Sequence, residues 1–177
     1  MRDIRLVVAS TLLMIMFLLR VYYYSAPFLP KELFKNRTYL LGTFAAAMRM
    51  VSMGSIGFLI PLYLVDVKGI PIVKLGGLLM IGAGSMTLVV RIAGGLADRI
   101  DGRWLVICGL IGQSTTLIAF SQFPKEASIW YICFSLSLHG FSAGLMLATL
   151  HKIVMSSVEE LKTGAAAGLY GMFRFLG

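Results

Sequence analysis

Charged residues are scarce in this chain of 177 residues, of which Asp, Glu, Lys and Arg together make up 14%. A soluble domain keeps roughly a quarter of its residues charged. Hydrophobic residues reach 58%, and the mean hydropathy is +0.86. These values exclude an ordinary soluble domain and indicate a membrane protein. The length allows about five or six helical spans of ~20 residues joined by short loops.

Signatures of catalysis and of metal binding are lacking as well. The chain has no HExxH or Walker motif, and its His and Ser residues are scattered. Cys108 and Cys133 fall inside apolar runs without a CxxC pair, which is typical of buried thiols. We therefore predict that the protein is not an enzyme and that it holds no metal and no cofactor.

Acidic residues are few compared with basic ones. The 16 Lys and Arg residues against 8 Asp and Glu residues give a net charge of +8. No basic run or aromatic platform accompanies this charge, so we predict no nucleic-acid partner. In a membrane protein, Lys and Arg instead mark the loops that stay in the cytoplasm.

Six apolar segments are present, and they predict an all-α, polytopic transmembrane helical bundle. The predicted spans cover residues 6–24, 39–65, 75–97, 104–123, 129–150 and 164–177. The last has 14 residues, whereas a helix needs ~20 residues to cross the ~30 Å apolar core of a bilayer. We therefore expect five full spans and a truncated sixth.

The loops on the two sides carry unequal numbers of Lys and Arg, eight against five. The richer side includes residues 98–103, which we accordingly place in the cytoplasm. Arg2 and Arg5 oppose this orientation because a basic N-terminus prefers the cytoplasm. The conflict is easier to explain if Met1 is an internal Met of a longer protein, so we expect the chain to be a fragment.

Small residues in the fifth predicted span have the spacing that close helix packing needs. Gly140 and Gly144 form a GxxxG pair, which Ser137 and Ala148 extend along the same face. Such spacing lets helix backbones approach closely in lipid, where no hydrophobic drive brings helices together. We predict a tightly packed bundle rather than isolated anchors.

The most hydrophilic stretch between two spans is GGLADRIDGRW, residues 94–104. It resembles the cytoplasmic loop signature of the major facilitator superfamily, on which four residues fall without a gap: Gly94, Asp98, Arg99 and Arg103. Gly102 also has its counterpart in related drug exporters, whereas Asp101 stands where the family usually has Gly. We expect this extra acid to compete with Asp98 for the two Arg side chains.

Three further stretches resemble the same family in the same order. These are LPKELFKNRTYLLG, FLIPLYLVDVKGI and EELKTGAAAGLYGMFRFLG, all within residues 28–177. The ordered set is most similar to the fourteen-span drug:proton antiporter branch, which includes tetracycline, quinolone and multidrug efflux proteins. The resemblance implies a partial major facilitator fold, namely a fragment of its C-terminal half.

The resemblance also implies a secondary transporter of the cell membrane that exports small amphipathic compounds or drugs in exchange for protons. Its partners are then the lipid bilayer, a small-molecule substrate and the missing N-terminal half, without which we expect no transport. The charges of residues 98–103, here called the latch loop, are expected to stabilise one conformation. Two alternatives stay open: a short membrane partner or regulatory subunit, and a superfamily member for another solute, such as a sugar or siderophore.

Ionisable residues inside the spans are candidates for substrate binding or coupling because burying a charge costs about 2.5–3.5 kcal/mol. Arg49 lies near mid-span, where a functional and a structural role are both open. Arg91 lies seven residues before Asp98, close enough to the loop for its charge to reach water, which favours a structural role. His139 is a candidate proton relay, although packing is the commoner role. No acid lies inside any span, so we expect a coupling carboxylate from the N-terminal half.

Overall fold

The computed structural model describes residues 8–16, 19 and 32–176. Five α-helices follow one another: α1 (Arg37–Leu62), α2 (Ile72–Leu96), α3 (Gly102–Ser121), α4 (Ile129–Ser156) and α5 (Thr163–Leu176). A π-helical turn, Tyr63–Val67, continues α1, and a 3₁₀ turn, Glu160–Lys162, precedes α5. Residues 8–16 are helical too. The all-α prediction is confirmed for the described part of the chain.

Four helical stretches among the described residues are long and apolar enough to cross a membrane: Arg37–Val67, Ile72–Leu96, Gly102–Ser121 and Ile129–Ser156. Each overlaps one predicted span. The predicted span 6–24 lies mostly outside the described residues, and α5 has 14 residues, fewer than a crossing needs.

The helix α4 ends later than its apolar pattern indicates. The sequence places the end of this span at residue 150, whereas the helix continues to Ser156. Residues 151–156 contain neither Pro nor Gly that could stop the helix. The half-exposed side chain of Lys152 lies on this extension and pairs with Asp98. The apolar run and the helix therefore end at different residues.

The far end of α1 is irregular because of Pro61. A proline inside a helix has no N–H to donate, and its ring displaces the carbonyl group four residues earlier. The wider π-helical turn follows, and the chain then reverses at Gly69, whose φ of 62° favours glycine. The Nζ of Lys68 donates to the carbonyl oxygen of Ala127 at 2.6 Å, which ties this reversal to the connection between α3 and α4.

The longest described helix, α4, lies at the centre of the bundle. α1, α2 and α3 each pack against it, and α5 packs mainly against α1. Within residues 32–176, α1, α2 and α3 make few direct contacts with one another. The position of α4 therefore determines the positions of α1, α2 and α3.

Polar contacts join the start of α1 to the connection between α4 and α5. The side-chain amide of Asn36 donates to the carbonyl oxygen of Ser157 at 2.6 Å. Lys162 pairs with both Glu159 and Glu32, and these two hydrogen bonds raise the pKa of Lys162 above its usual value. The ends of α1, α4 and α5 are therefore linked at one side of the bundle.

Close packing between α4 and α2 depends on the GxxxG pair of α4. A Cβ atom added at Gly140 would collide with the carbonyl oxygen of Gly82 and with Oγ of Ser85. A Cβ atom at Gly144 would lie 2.8 Å from the carbonyl oxygen of Met86. Only glycine therefore allows the observed approach at these two positions.

The contact between α4 and α3 uses glycines on the partner helix instead. A Cβ atom at Gly109 of α3 would lie 3.1 Å from the carbonyl oxygen of Ser142, and one at Gly112 would collide with Oγ of Ser142. The spacing of Gly109 and Gly112 differs from GxxxG, and the sequence analysis did not single them out. α4 is thus approached closely on two faces by small residues.

We expect the substitution Gly140→Ala to lower the free energy of unfolding by about 1–3 kcal/mol, because the added methyl group overpacks the contact between α4 and α2. The measurement is reversible unfolding of the purified chain in mixed micelles, followed by circular dichroism. Gly84→Ala is the matched control in α2, since no atom lies within 4 Å of the added Cβ there. Equal destabilisation by both variants would contradict this account of the packing.

Candidate functional site

Arg49 lies halfway along α1 and is only 4% exposed. Its Nη1 atom donates to Sδ of Met53 at 2.9 Å, and a thioether is a weak acceptor. Its Nε atom makes no hydrogen bond to any described residue. The guanidinium group therefore lies buried at mid-helix, with a weak acceptor at Nη1 and no described partner at Nε.

An open cavity of about 160 Å³, with Met48, Leu110 and Leu117 exposed at its rim, adjoins Arg49 between α1, α3 and α4. The residues around it combine polar and apolar side chains: Met48, Ser52, Leu110, Gln113, Ser114, Leu117 and Met146. The side-chain amide of Gln113 donates to Oγ of Ser52 at 3.0 Å. This hydrogen bond connects α3 to α1 directly beside Arg49.

His139 of α4 continues this polar region along α3, beside Thr116. Its Nδ1 atom lies 3.1 Å from Oγ1 of Thr116, whose single hydroxyl proton is donated to the carbonyl oxygen of Gln113 at 2.8 Å. When the Thr116 hydroxyl group donates to Gln113, His139 Nδ1 carries a proton and donates to Thr116. Nε2 is buried and makes no hydrogen bond to a described residue. In a neutral imidazole this leaves Nε2 as an unused acceptor.

Two residues of α5 complete the polar region around Arg49. Tyr170 is 3% exposed, and its hydroxyl group has no hydrogen-bond partner among the described residues. Arg174, one helical turn later, likewise leaves its Nε atom unpartnered within the described chain. Both side chains lie close enough to Arg49 to interact with it electrostatically, and so does His139. We call Arg49, Tyr170 and Arg174 the cationic cluster.

The ion pairs of residues 32–176 lie at helix ends, away from the cationic cluster. They join Lys152 to Asp98 and Lys162 to Glu32 and Glu159. The described residues also contain no group of three His, Cys, Asp or Glu side chains that could hold a metal ion. The cationic cluster thus has no carboxylate partner in the described chain.

The structure places the other predicted site residues apart from this cluster. Arg91 lies on an exposed part of α2, and a Cβ atom at Gly94 would meet open space. Gly102, at the start of α3, lies against Thr149 and Ile153 of α4, with a nearest approach of 3.0 Å to an added Cβ. Of the predicted intramembrane candidates, the fold brings together Arg49 and His139.

The latch loop connects to α4 through a lysine. Asp98 pairs with Nζ of Lys152, which also donates to the carbonyl oxygen of Ala97 at 2.8 Å. Among the described residues, neither Arg99 nor Arg103 forms an ion pair with Asp98. Arg103 instead borders an apolar groove of about 480 Å³ between α1, α3 and α4. The latch role of this loop stays a prediction.

Asp101 has a role at the start of α3. It is the N-cap residue, and its side chain accepts a hydrogen bond from the backbone N–H of Arg103 at 3.0 Å. Asp is among the best N-cap residues because its oxygen satisfies an N–H group that the helix leaves unpaired. The competition of Asp101 for the Arg side chains, expected from the sequence, is not seen among the described contacts. Capping explains why an acid stands at this position.

Residues 140–144 also match the pattern GxSxG, which in hydrolases marks a nucleophile on a sharp turn between a strand and a helix. Here the whole stretch lies inside α4, and the hydroxyl group of Ser142 donates to the carbonyl oxygen of Leu138 at 2.8 Å. The strained turn that exposes a nucleophilic serine is therefore missing from this helix. The match has no catalytic meaning here.

A bundle of apolar helices with ionisable side chains buried at mid-helix is typical of a membrane transporter. The comparison with protein families agrees with this class. The family model described as Major Facilitator Superfamily matches residues 6–177, and the chain belongs to that family. It is thus a multi-pass membrane protein of a transporter family.

Two curated relatives are similar to this chain. The riboflavin transporter RibZ of Clostridioides difficile (strain 630) is 22% identical over 176 residues, which cover 98% of this chain and 39% of the relative. The uncharacterized MFS-type transporter YhcA of Bacillus subtilis (strain 168) is 25% identical over 141 residues, which cover 80% of this chain and 26% of the relative. The chain thus spans less than half the length of these relatives. No solved structure matches.

We expect Asp101→Ala to lower the free energy of unfolding by about 1 kcal/mol, because the N–H group of Arg103 loses its cap. Asp101→Asn keeps the accepting oxygen without the charge and should retain most of the stability. Both variants are compared by thermal unfolding in detergent. A loss in Asp101→Asn as large as in Asp101→Ala would show that the charge, and not the cap, matters at this position.

Proposed function

We propose that this chain forms part of a secondary transporter that moves small amphipathic solutes across the cell membrane by alternating access. The observation that carries the proposal is the cavity at mid-helix beside the buried guanidinium group of Arg49, whose Nε atom has no partner among the described residues. Burying a charge inside a membrane is costly, so such residues usually mark the path of a solute or an ion. Membership of a transporter family supports the same function.

We further propose that the transport is efflux driven by proton exchange. The resemblance of the latch loop and of three further stretches to drug:proton antiporters supports this direction and coupling. The described spans contribute one candidate for carrying a proton, His139, whose Nε2 atom is an unused acceptor. A carboxylate for proton exchange must then come from a part of the transporter outside the described residues, because the described acids lie at or near helix ends.

A second candidate function is transport of a different kind of solute, and the match to the riboflavin transporter favours it. Donors around the cavity, such as the amide of Gln113, are suited to a neutral heterocycle rich in acceptors. Both candidates use the same cavity and differ in the solute that it accepts.

We also propose that the latch loop lies in the cytoplasm and holds one conformation of the transporter. The pair of Lys152 and Asp98 fixes this loop on α4, while the exposed side chain of Arg99 is available to a second helical bundle. A charge pair that is made in one conformation and broken in the other shifts the equilibrium between them. The loops on this side of the membrane carry more Lys and Arg than those on the other side, which supports the cytoplasmic orientation.

Efflux of fluorescent amphipathic dyes from cells that express the native gene tests the proposed function. For an anionic dye we expect Arg49→Gln to reduce the efflux rate about tenfold or more, since loss of a solute contact worth 1.4 kcal/mol has that effect. Arg91→Gln, which removes an exposed charge from α2, is the matched control and should retain the rate. Collapse of the proton gradient with a protonophore should stop the efflux.

Residues 1–177 expressed alone should give no dye efflux, because an alternating-access cavity needs walls from two helical bundles. The measurement is the same efflux assay, with expression in the membrane verified by immunoblotting. Drug resistance or dye efflux supplied by these residues alone would contradict the expectation that they need a second half.

A further inference from the structure

We propose that the cationic cluster binds an anionic group, a carboxylate or a phosphate, of the transported solute. This inference rests on the proposed transport function and narrows its substrate class to anionic or zwitterionic amphipathic compounds. It starts from the hydrogen-bond capacity that the cluster leaves unused. Nε of Arg49, Nε of Arg174 and the hydroxyl group of Tyr170 are all buried, and none is hydrogen-bonded to a described residue.

Leaving these buried groups without hydrogen-bond partners costs free energy. A buried donor without a partner loses its hydration and gains nothing in return, and the penalty is larger for a charged group than for a neutral one. Arg49 is 4% exposed and Tyr170 is 3% exposed, so water at the protein surface does not compensate them. A ligand in the cavity that accepts hydrogen bonds from Arg49 removes the part of this penalty that falls on the guanidinium group.

The sign of the charge at the cationic cluster favours an anion over a cation. Arg49 and Arg174 lie within electrostatic range of each other, and like charges repel more strongly in a medium of low dielectric constant than in water. The described acids lie at or near helix ends, where three of them pair with Lys152 and Lys162. An anion bound at the cluster turns this repulsion into attraction, whereas a cation increases it.

The shape and the chemistry of the site also match an anionic group. A guanidinium group offers parallel N–H donors that fit the two oxygens of a carboxylate or phosphate. The cavity beside Arg49 measures about 160 Å³, several times the ~30 Å³ that one water molecule occupies in the liquid. Leu110, Leu117 and Met146 line the same cavity. They offer an apolar surface to the body of an amphipathic molecule whose anionic group contacts Arg49.

Binding of benzoate by the purified 177-residue chain in detergent micelles tests the site directly, with benzamide as a neutral molecule of the same shape. We expect saturable binding of benzoate, measured by isothermal titration calorimetry, and at least about tenfold weaker binding of benzamide. Arg49→Gln should weaken benzoate binding about tenfold. Arg49→Lys keeps the charge without the forked geometry of the guanidinium group and should lose less affinity for benzoate.

Arg91→Gln is the matched control, because it removes an exposed charge from α2 and should leave benzoate binding unchanged. Thermal unfolding of every variant is measured in parallel to separate loss of the site from loss of the fold. Equal affinity for benzoate and benzamide would overturn the proposal. An unchanged benzoate affinity in a folded Arg49→Gln variant would overturn it as well.

An anion at the cationic cluster can come from the solute or from an acidic side chain in another part of the transporter. Efflux of fluorescein, an anionic dye, and of rhodamine 123, a cationic dye of the same ring type, distinguishes the two sources in cells that express the native gene. If the anion belongs to the solute, Arg49→Gln should abolish efflux of fluorescein and spare that of rhodamine 123. Equal loss of both dyes would indicate a protein carboxylate and overturn the proposal.

Failure of the proposed function gives a different result from failure of the anion site. Absence of efflux for both dyes in the unmodified protein contradicts the proposed efflux function, while selective benzoate binding that depends on Arg49 still supports the anion site. Efflux of rhodamine 123 but not of fluorescein supports the transport function. If benzoate and benzamide also bind equally, the anion site is overturned.

Discussion

The close approach of the α4 backbone to α2 and α3 is the constraint on which the remaining structure depends. Lipid offers apolar surface as readily as a neighbouring helix does, so helices associate in a membrane through van der Waals contact and hydrogen bonds. Glycines supply the required space on both faces of α4, from α4 itself towards α2 and from α3 towards α4. His139 precedes Gly140, so the packing that buries the glycine also places the imidazole near Thr116.

The cationic cluster depends on a second set of contacts, those that attach α1 and α5. The hydroxyl group of Tyr39 donates to the carbonyl oxygen of Ala166 at 2.8 Å, and Asn36 contacts Ser157 at the same end of the bundle. These contacts hold α5 against α1, which brings Tyr170 and Arg174 towards Arg49. The polar region is therefore assembled from three non-adjacent parts of the chain.

Hydropathy predicted the helices of residues 37–156 well, because an apolar segment of this length has few alternatives to a membrane helix. Periodicity also singled out Gly140 and Gly144, since spacing within one helix is visible in the sequence. The partners of charged side chains were not predictable in the same way. Lys152 lies 54 residues from Asp98, and only the fold shows that it pairs with this acid. Tyr170 and Gln113 were missed because the sequence does not distinguish a functional polar residue in an apolar run from one that only packs against its neighbours.

The central position of α4 has a consequence for biogenesis. α1, α2 and α3 leave the ribosome before α4, and within the described residues they make few contacts with one another. At about 5–20 residues per second, translation from the end of α1 to the end of α4 takes on the order of ten seconds. During this interval the nascent helices lie in the bilayer with glycine-lined faces uncovered. Insertion of α4 thus supplies the surface on which α1, α2 and α3 assemble, and until then these three described helices have few contacts with one another.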